Sequence, residues 1–438
     1  MSGVYSKLAV DSVDPADKTL ATIHEQIEAY CKSHHSFRFD PARPVVRLHE
    51  PTFGAEEIIA ALDTLLSTRV TMGPKVKAFE QAFCRAYGFP HGVSNNSGSS
   101  ANLLAIAALA NPATPEGLRP GDEVIVPALS WSTTVWPLVQ HNLVPVVCDI
   151  DRRTFNLDPA EVERAIGPKT RAILPVHVYG NPCDMDALRD IAKRRGLMIV
   201  EDCCEALGAF YDGVPVGRMG RVGTFSFYFS HHMTTLEGGI CVTGDFQLAE
   251  LMRVLRAHGW IRELEERQPY LDKYPQFDPR FLFINQGYNL RITELQGAMG
   301  LVQLPKLQGY IDTRRENTRA WQEDLRRWSE FFDFQEETPK GKSSFFGFPM
   351  LVKPSAPFKA AEITAFLNEA GIETRPIICG NIALQPAMQL FPHRVAGSLE
   401  DSTRVMREGF SVGNHQAIDA AARHYVNGKI EEFLKRAA

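Results

Sequence analysis

Four stretches of this chain gather residue types suited to a charged, flat, heteroaromatic ligand. The run NNSGSSANLLAIAAL sets Ser97, Gly98, Ser99, Ser100 and Ala101 directly ahead of a helical apolar run. Backbone N–H groups and hydroxyls converge there at the positive end of a helix dipole, which suits a phosphate. A single serine would also serve as an ordinary N-cap, so the run alone leaves both readings open. In VEDCCEALG, Asp202 closes an apolar run at the end where functional side chains of α/β sheets emerge. A carboxylate there either keeps a pyridine nitrogen protonated or caps the next element. Ser130 and Trp131 in PALSWSTTVW follow another such run. An open indole face stacks on a flat ring, whereas a core tryptophan only packs. Finally, TFSFYFSHHMTTLEGGI carries the doublet His231 and His232 shortly after Ser226. Imidazole titrates near neutrality, which suits proton transfer, although a histidine pair is also ordinary core or surface filler.

The elements that must hold these residues follow from periodicity. From about residue 55 the pattern predicts helices over 55–67, 75–87 and 99–110. The short apolar runs DEVIVPAL, VPVVCDI, RAILPVHVYG, LMIVEDCC, VGTFSFYF and GICVTG come between or after helical stretches. Near-continuous apolarity at that length predicts strands covered on both faces, as in a mostly parallel sheet. The stretch KTLATIHEQIEAYCKSHH predicts an N-terminal helix leading into an extended segment around Pro41 and Pro44. Residues 260–285 form a polar, aromatic-rich connection, and ITELQGAMGLVQLPKLQGYIDTRRENTRAWQEDLRRW predicts a long amphipathic helix broken at Pro305. Strand FFGFPMLV, helix 358–370, strand GIETRPII and a C-terminal helix after His415 complete a small α+β unit. The expected organisation is an arm over 1–50, a large domain over 51–300, and a small C-terminal domain with a bridging helix over 301–438.

Bulk properties set limits. With 438 residues, 44% hydrophobic and 23% charged, the chain has ample core and no apolar run of the roughly 18–20 residues that cross a bilayer. The N-terminus MSGVYSKLAVDSVDPADKTL has no secretory or transit pattern, so a cytoplasmic protein is expected. A net charge of −5 argues against nucleic-acid or anionic-membrane partners. The eight cysteines lack zinc-type spacing and read as free thiols, and no metal site is expected; the neighbours Cys203 and Cys204 would point to opposite faces of a strand.

Ser97 to Ala101, Trp131, Asp202, Ser226 and GYNLRITELQGA together resemble the sugar-aminotransferase family typified by the enzymes DegT, DnrJ, EryC1 and StrS, over about residues 50 to 430. The resemblance implies the aspartate-aminotransferase-like α/β fold (PLP fold type I), with Ser97, Gly98, Ser99 and Ser226 on the cofactor phosphate, Trp131 against its ring and Asp202 at its nitrogen. It also implies that Glu205 lies near the ring hydroxyl, where these enzymes usually have Gln. Asn289 and Arg291 match residues that reach the cofactor and substrate across a dimer interface, so a homodimer is expected.

In that family a segment Ser-Phe-x-x-x-Lys ahead of a Gly-Gly pair supplies the lysine that binds pyridoxal phosphate covalently. Counting from Ser226 puts His231 at that position, and histidine cannot form the link. His-His before Glu-Gly-Gly, FFGFP at 345–349, and ETRPIICGNIALQP with Arg375 and Asn381 are similar to the branch of nucleotide-sugar 3-dehydratases. That branch implies a non-covalent pyridoxal or pyridoxamine phosphate, His231 as the proton carrier, and loss of water at C3 of a nucleotide-linked 4-keto-6-deoxy sugar. Arg375 and Asn381 are then expected at the substrate, with His232 structural.

Two types of such dehydratase differ in their cysteines. Only Cys241 and Cys379 follow His231, too few for a four-cysteine iron-sulfur cluster. The expectation is the cluster-free type that takes its amino group from L-glutamate, on a GDP-linked sugar. Other readings are another elimination, an epimerisation or a decarboxylation on a nucleotide sugar, or a non-catalytic B6-binding regulator.

Overall fold

The computed structural model describes residues 18–437. The expectation of no targeting signal, and the first part of the arm, lie outside the described residues. At the centre is an eight-stranded sheet. From edge to edge its strands are His91–Asn95, Gly239–Thr243, Val222–Ser226, Met198–Asp202, Thr170–Ile173, Glu123–Pro127, Val144–Cys148 and Arg394–Val395. Only Gly239–Thr243 runs against the others. Every predicted run supplied its strand. Most apolar residues of these strands are buried, because helices cover the sheet; at its edge, Val395 is exposed.

The helix Gly98–Leu109 shows why the sequence here is apolar all round. Nine of its twelve residues are buried, as it is wedged between the sheet and the helices Ser132–Gln140 and Phe246–Arg256. Punctuation elsewhere follows local chemistry. Pro74 opens the helix Pro74–Tyr87 and Gly88 closes it in the left-handed conformation, while Asp184 and Asp245 accept from backbone N–H groups at the starts of later helices. The predicted break falls at Pro305, where the helix Glu294–Gln303 passes through a single 3₁₀ turn into the helix Leu307–Leu325.

A second, antiparallel sheet has the order Phe332–Phe334, Phe348–Val352, Gly409–Val412, Thr374–Arg375. Its own core includes the fully buried Trp321, with Ile363 and Leu367 of the helix Ala360–Glu369 and Ile430 of the helix Ala420–Ala437. Burying side chains of this size is worth about 1.5–3 kcal/mol each, enough to make this sheet a separate packing centre. The N-terminal helix forms over Lys18–His34. The segment after it packs into this second core, with Val46 buried and bridged to Ile372.

Three expectations need correction. The run GIETRPII forms a strand only at Thr374–Arg375, because the chain then turns through Ile378, whose φ is +50°. The strands His91–Asn95 and Arg394–Val395 were not foreseen, being respectively polar and two residues long. Residues 260–285 hold a short helix, Gln268–Lys273, and two 3₁₀ turns. Among the described residues no helix is long and apolar enough to cross a membrane.

Candidate active site

A cavity of 450 Å³ opens at the carboxyl ends of the parallel strands, a size suited to a small-molecule ligand. Ser97, Gly98, Ser99, Trp131, Asp202, Glu205, Ser226, His231 and Arg375 all line it. Residues spread over nearly 280 positions of sequence meet because each sits on a strand end, on the loop that follows it or in the first turn of the next helix.

One end of the cavity is built from the start of the helix Gly98–Leu109. Ser97 caps it, accepting from the backbone N–H of Ser100, and Ser99 donates to Thr133 Oγ1 at 2.9 Å. The end of the strand Val222–Ser226 presses against this turn so closely that a Cβ on residue 98 would lie 2.5 Å from Cβ of Ser226. Glycine is therefore required at 98, beside the part of the cavity that Ser97, Ser99 and Ser226 line. A cradle of this kind at a helix N-terminus suits a phosphate.

Asp202 stands on the cavity floor, buried and held by three donors. Its Oδ2 accepts from Asn102 Nδ2 and Thr134 Oγ1, both at 2.8 Å, and its Oδ1 accepts from the Cys204 N–H at 3.1 Å. Asn102 in turn accepts from Thr224 at 2.6 Å. The carboxylate is thus fixed in orientation, a geometry that serves both of its readings: it caps the following turn through the Cys204 N–H, and it can face a protonated ring nitrogen. Trp131 is 56% exposed and so is no core residue; its indole lies on the cavity wall, open to a flat ring.

His231 lies in the loop 227–238 between the strands Val222–Ser226 and Gly239–Thr243. Hydrogen bonds from Phe227 N–H to the Gly238 carbonyl and from Thr235 N–H to the Phe227 carbonyl close the loop. Gln303 accepts from the Thr234 N–H at 3.2 Å. The His231 ring is edge-on to Tyr228 on one side, with centroids 5.8 Å apart, and to Phe346 on the other, 5.1 Å apart. Its Nδ1 is buried without a hydrogen-bond partner. Imidazole chemistry alone suggests a value near neutrality; burial, and then the nearby Arg375, push it down to about 3, so the ring is uncharged near pH 7. His232 is fully buried, with Nε2 donating to the Ser344 carbonyl at 3.2 Å.

The far wall carries two charged groups. Glu205 accepts from the Tyr179 N–H at 3.0 Å and has its nearest cation, Arg375, at 3.7 Å. Burial raises its pKa, with Arg375 opposing. Arg375 lies over the rings of Phe346 and Tyr179 and, among the described residues, is the single cationic side chain in the cavity lining. No lysine among the described residues lines the cavity.

Three proposed site residues are not in this lining. Arg291 donates to Asn289 at 3.0 Å on the surface, while the neighbouring Thr293 caps the helix Glu294–Gln303. Asn381 is buried and committed locally, accepting from the Ala383 N–H and donating to Thr403. Conversely, Asn102, Thr134, Tyr228 and Glu237 line the cavity without having been foreseen. Asn102 had a signal: a polar residue one turn after Gly98 in an otherwise apolar helix.

His177, Glu201 and Cys203 also converge, near enough to share an ion. Glu201, however, accepts from the N–H groups of Gly217, Met219 and Gly220 and from His177 Nε2, whose ring Nδ1 accepts from the Cys183 N–H. Those bonds already satisfy the cluster, which ties the strand Met198–Asp202 to its neighbours.

The cradle at Gly98, the fixed Asp202 and the open indole fit a pyridoxal phosphate group. Known proteins agree. The model of the DegT/DnrJ/EryC1/StrS aminotransferase family matches residues 51–431. A GDP-4-keto-6-deoxy-D-mannose 3-dehydratase of Yersinia pseudotuberculosis is 42% identical over 84% of this chain and 94% of its own length. The E. coli GDP-4-keto-6-deoxy-D-mannose-3-dehydratase, solved with bound hydrated PLP, superposes with a TM-score of 0.82 at 36% identity, covering 88% of this chain and 98% of that one. A further structure of a GDP-4-keto-6-deoxymannose-3-dehydratase holds a trapped PLP-glutamate geminal diamine, with a TM-score of 0.80 at 35% identity over 87% of this chain and 99% of that one. This chain belongs to the DegT/DnrJ/EryC1/StrS aminotransferase family and has its PLP fold type I architecture.

Proposed function

We propose that this protein is a pyridoxal/pyridoxamine phosphate-dependent 3-dehydratase acting on a GDP-linked 4-keto-6-deoxy sugar, and that L-glutamate recharges its cofactor. The observation that carries the reading is that His231, and no lysine among the described residues, stands in the wall of the cavity that the phosphate cradle also lines. The dehydratases similar to this chain act, by their names, on GDP-4-keto-6-deoxymannose, and one holds a PLP-glutamate adduct.

When bound, the B6 group supplies an amino group for the sugar ketone and an electron sink. This chain's residues do the rest. Ser97, Gly98, Ser99 and Ser226 hold the phosphate, and Asp202 keeps the ring nitrogen protonated. Trp131 covers a ring face, and Glu205 lies across the pocket. His231, neutral because it is buried, accepts a proton at an imidazole nitrogen and returns it to the departing C3 hydroxyl. An anionic phosphate in the pocket opposes Arg375 and raises the basicity of His231 toward the working range. Arg375 meets an anionic part of a substrate.

Asn289 and Arg291 lie on the surface, where a second subunit completes the partner's pocket in a homodimer. The reading is of a cytoplasmic enzyme of deoxysugar synthesis with no iron-sulfur cluster. The protein with pyridoxal phosphate, L-glutamate and GDP-4-keto-6-deoxymannose should yield the 3-deoxy ketosugar and ammonia. A 4-amino sugar, or intact substrate after the cofactor has been converted to its amine form, overturns the reading.

A further inference from the structure

Tyr179 does not line the cavity, yet it touches three groups that do. Its backbone N–H donates to Glu205 at 3.0 Å. Its phenolic oxygen accepts from Arg375 Nε at 3.2 Å and is paired with Ser411 Oγ at 2.8 Å. Its backbone carbonyl accepts from the Phe346 N–H at 2.9 Å, and the two rings meet edge-on with centroids 5.8 Å apart. Phe346 then carries its other edge contact to His231.

The residue is held where it is. Its φ is +56° and ψ +26°, a left-handed conformation that a bulky side chain keeps only when its surroundings impose it. The ring is 1% exposed and lies so close to residue 347 that a Cβ there would come within 2.5 Å of Cε1. Ser411 and Arg375 belong to the second sheet, whereas Tyr179 follows a strand of the first. One side chain therefore bridges the two packing centres behind the pocket.

We propose that Tyr179 is a positioning residue: from behind the wall it sets Glu205, Arg375 and Phe346 together, and through Phe346 the plane of the His231 ring. The inference rests on the dehydratase reading of the pocket. It makes the place of Arg375 depend on a phenolic oxygen that never meets substrate.

Tyr179→Phe removes that oxygen and keeps the ring, the N–H to Glu205 and the carbonyl to Phe346. With the holoenzyme, the KM for L-glutamate or for GDP-4-keto-6-deoxymannose should rise about tenfold while kcat changes by less than about twofold. Cofactor affinity, read by absorbance titration, should be unchanged. Ser411→Ala takes the phenol's other partner and leaves Arg375 its acceptor, so both KM values should stay near those of the wild type. Crystals of Tyr179→Phe should show the guanidinium displaced from Phe346.

Unchanged KM values, a fall in kcat alone, or an equal KM rise in Ser411→Ala overturns the proposal. If the wild-type protein turns over no ketosugar, the dehydratase reading falls. The place of Arg375 in the variant crystals then decides the proposal: an unmoved guanidinium rejects it.

Discussion

The imidazole of His231 stands perpendicular to the ring of Phe346, with centroids 5.1 Å apart and an interplanar angle of 84°. With Tyr228 on its other side, the histidine has an apolar collar and one free, buried nitrogen. This setting keeps it neutral and fixes its orientation.

His231→Asn retains a polar side chain of smaller size and loses the proton carrier. Dehydration should fall about 10²- to 10⁴-fold, the usual worth of a general acid–base group. Pyridoxal phosphate should still bind, because the cradle at Ser97, Gly98, Ser99 and Ser226 is untouched. Steady-state turnover beside an absorbance titration of the cofactor tests this, and wild-type turnover would remove His231 from the mechanism.

Asp202→Asn keeps an oxygen for Asn102 and Thr134 but removes the charge. The rate should drop on the order of 10²- to 10³-fold, as when a fixed electrostatic partner is lost. The cofactor should remain bound with an altered absorption maximum, since its ring nitrogen is no longer held protonated. A normal spectrum and rate would show that Asp202 serves only as a cap.

Gly98→Ala places a methyl group 2.5 Å from Cβ of Ser226 and 3.0 Å from Cys204 Sγ. Overpacking of this kind costs about 1–3 kcal/mol. Thermal unfolding of the apoprotein should register that loss, and pyridoxal phosphate should bind more weakly because the cradle is filled. Wild-type cofactor affinity would mean that the phosphate sits elsewhere.

His415 is 2% exposed, and burial, then Arg314, lower its pKa to about 3. Unfolding exposes the ring to water, where it protonates near 6.5, so between these values the unfolded chain binds the extra proton. The stability His415 contributes is therefore present above pH 6.5 and is lost as pH falls toward 3. Urea unfolding of wild type and His415→Asn should show a stability difference that declines by up to about 1.4 kcal/mol per pH unit across that window. A difference independent of pH would mean that the histidine is charged in the folded protein.

Much of the fold is written locally. Runs of Val, Ile and Leu four to eight residues long, rich in β-branched residues, suit strands covered on both faces, and Pro305 interrupts a helix because it lacks an N–H. Chemical type was equally legible for Asp202 and Trp131 at strand ends, whereas His231 is marked by the resemblance to the family's Ser-Phe-x-x-x-Lys segment. Arg394–Val395 was hidden for the opposite reason: two residues carry no period, and only the parallel neighbour Val146–Val147 makes them a strand.

What chain order alone determines is which residues can do chemistry and which backbone element each must occupy, since both depend on side-chain type and short-range periodicity. Folding in three dimensions decides which of them meet and in what state of charge. Arg375 comes to rest 3.7 Å from Glu205 and Asn102 reaches Asp202, while Asn381 turns inward to Thr403. The depressed basicity of His231 also belongs to this level, because desolvation and a neighbouring guanidinium act through space and have no trace in sequence distance.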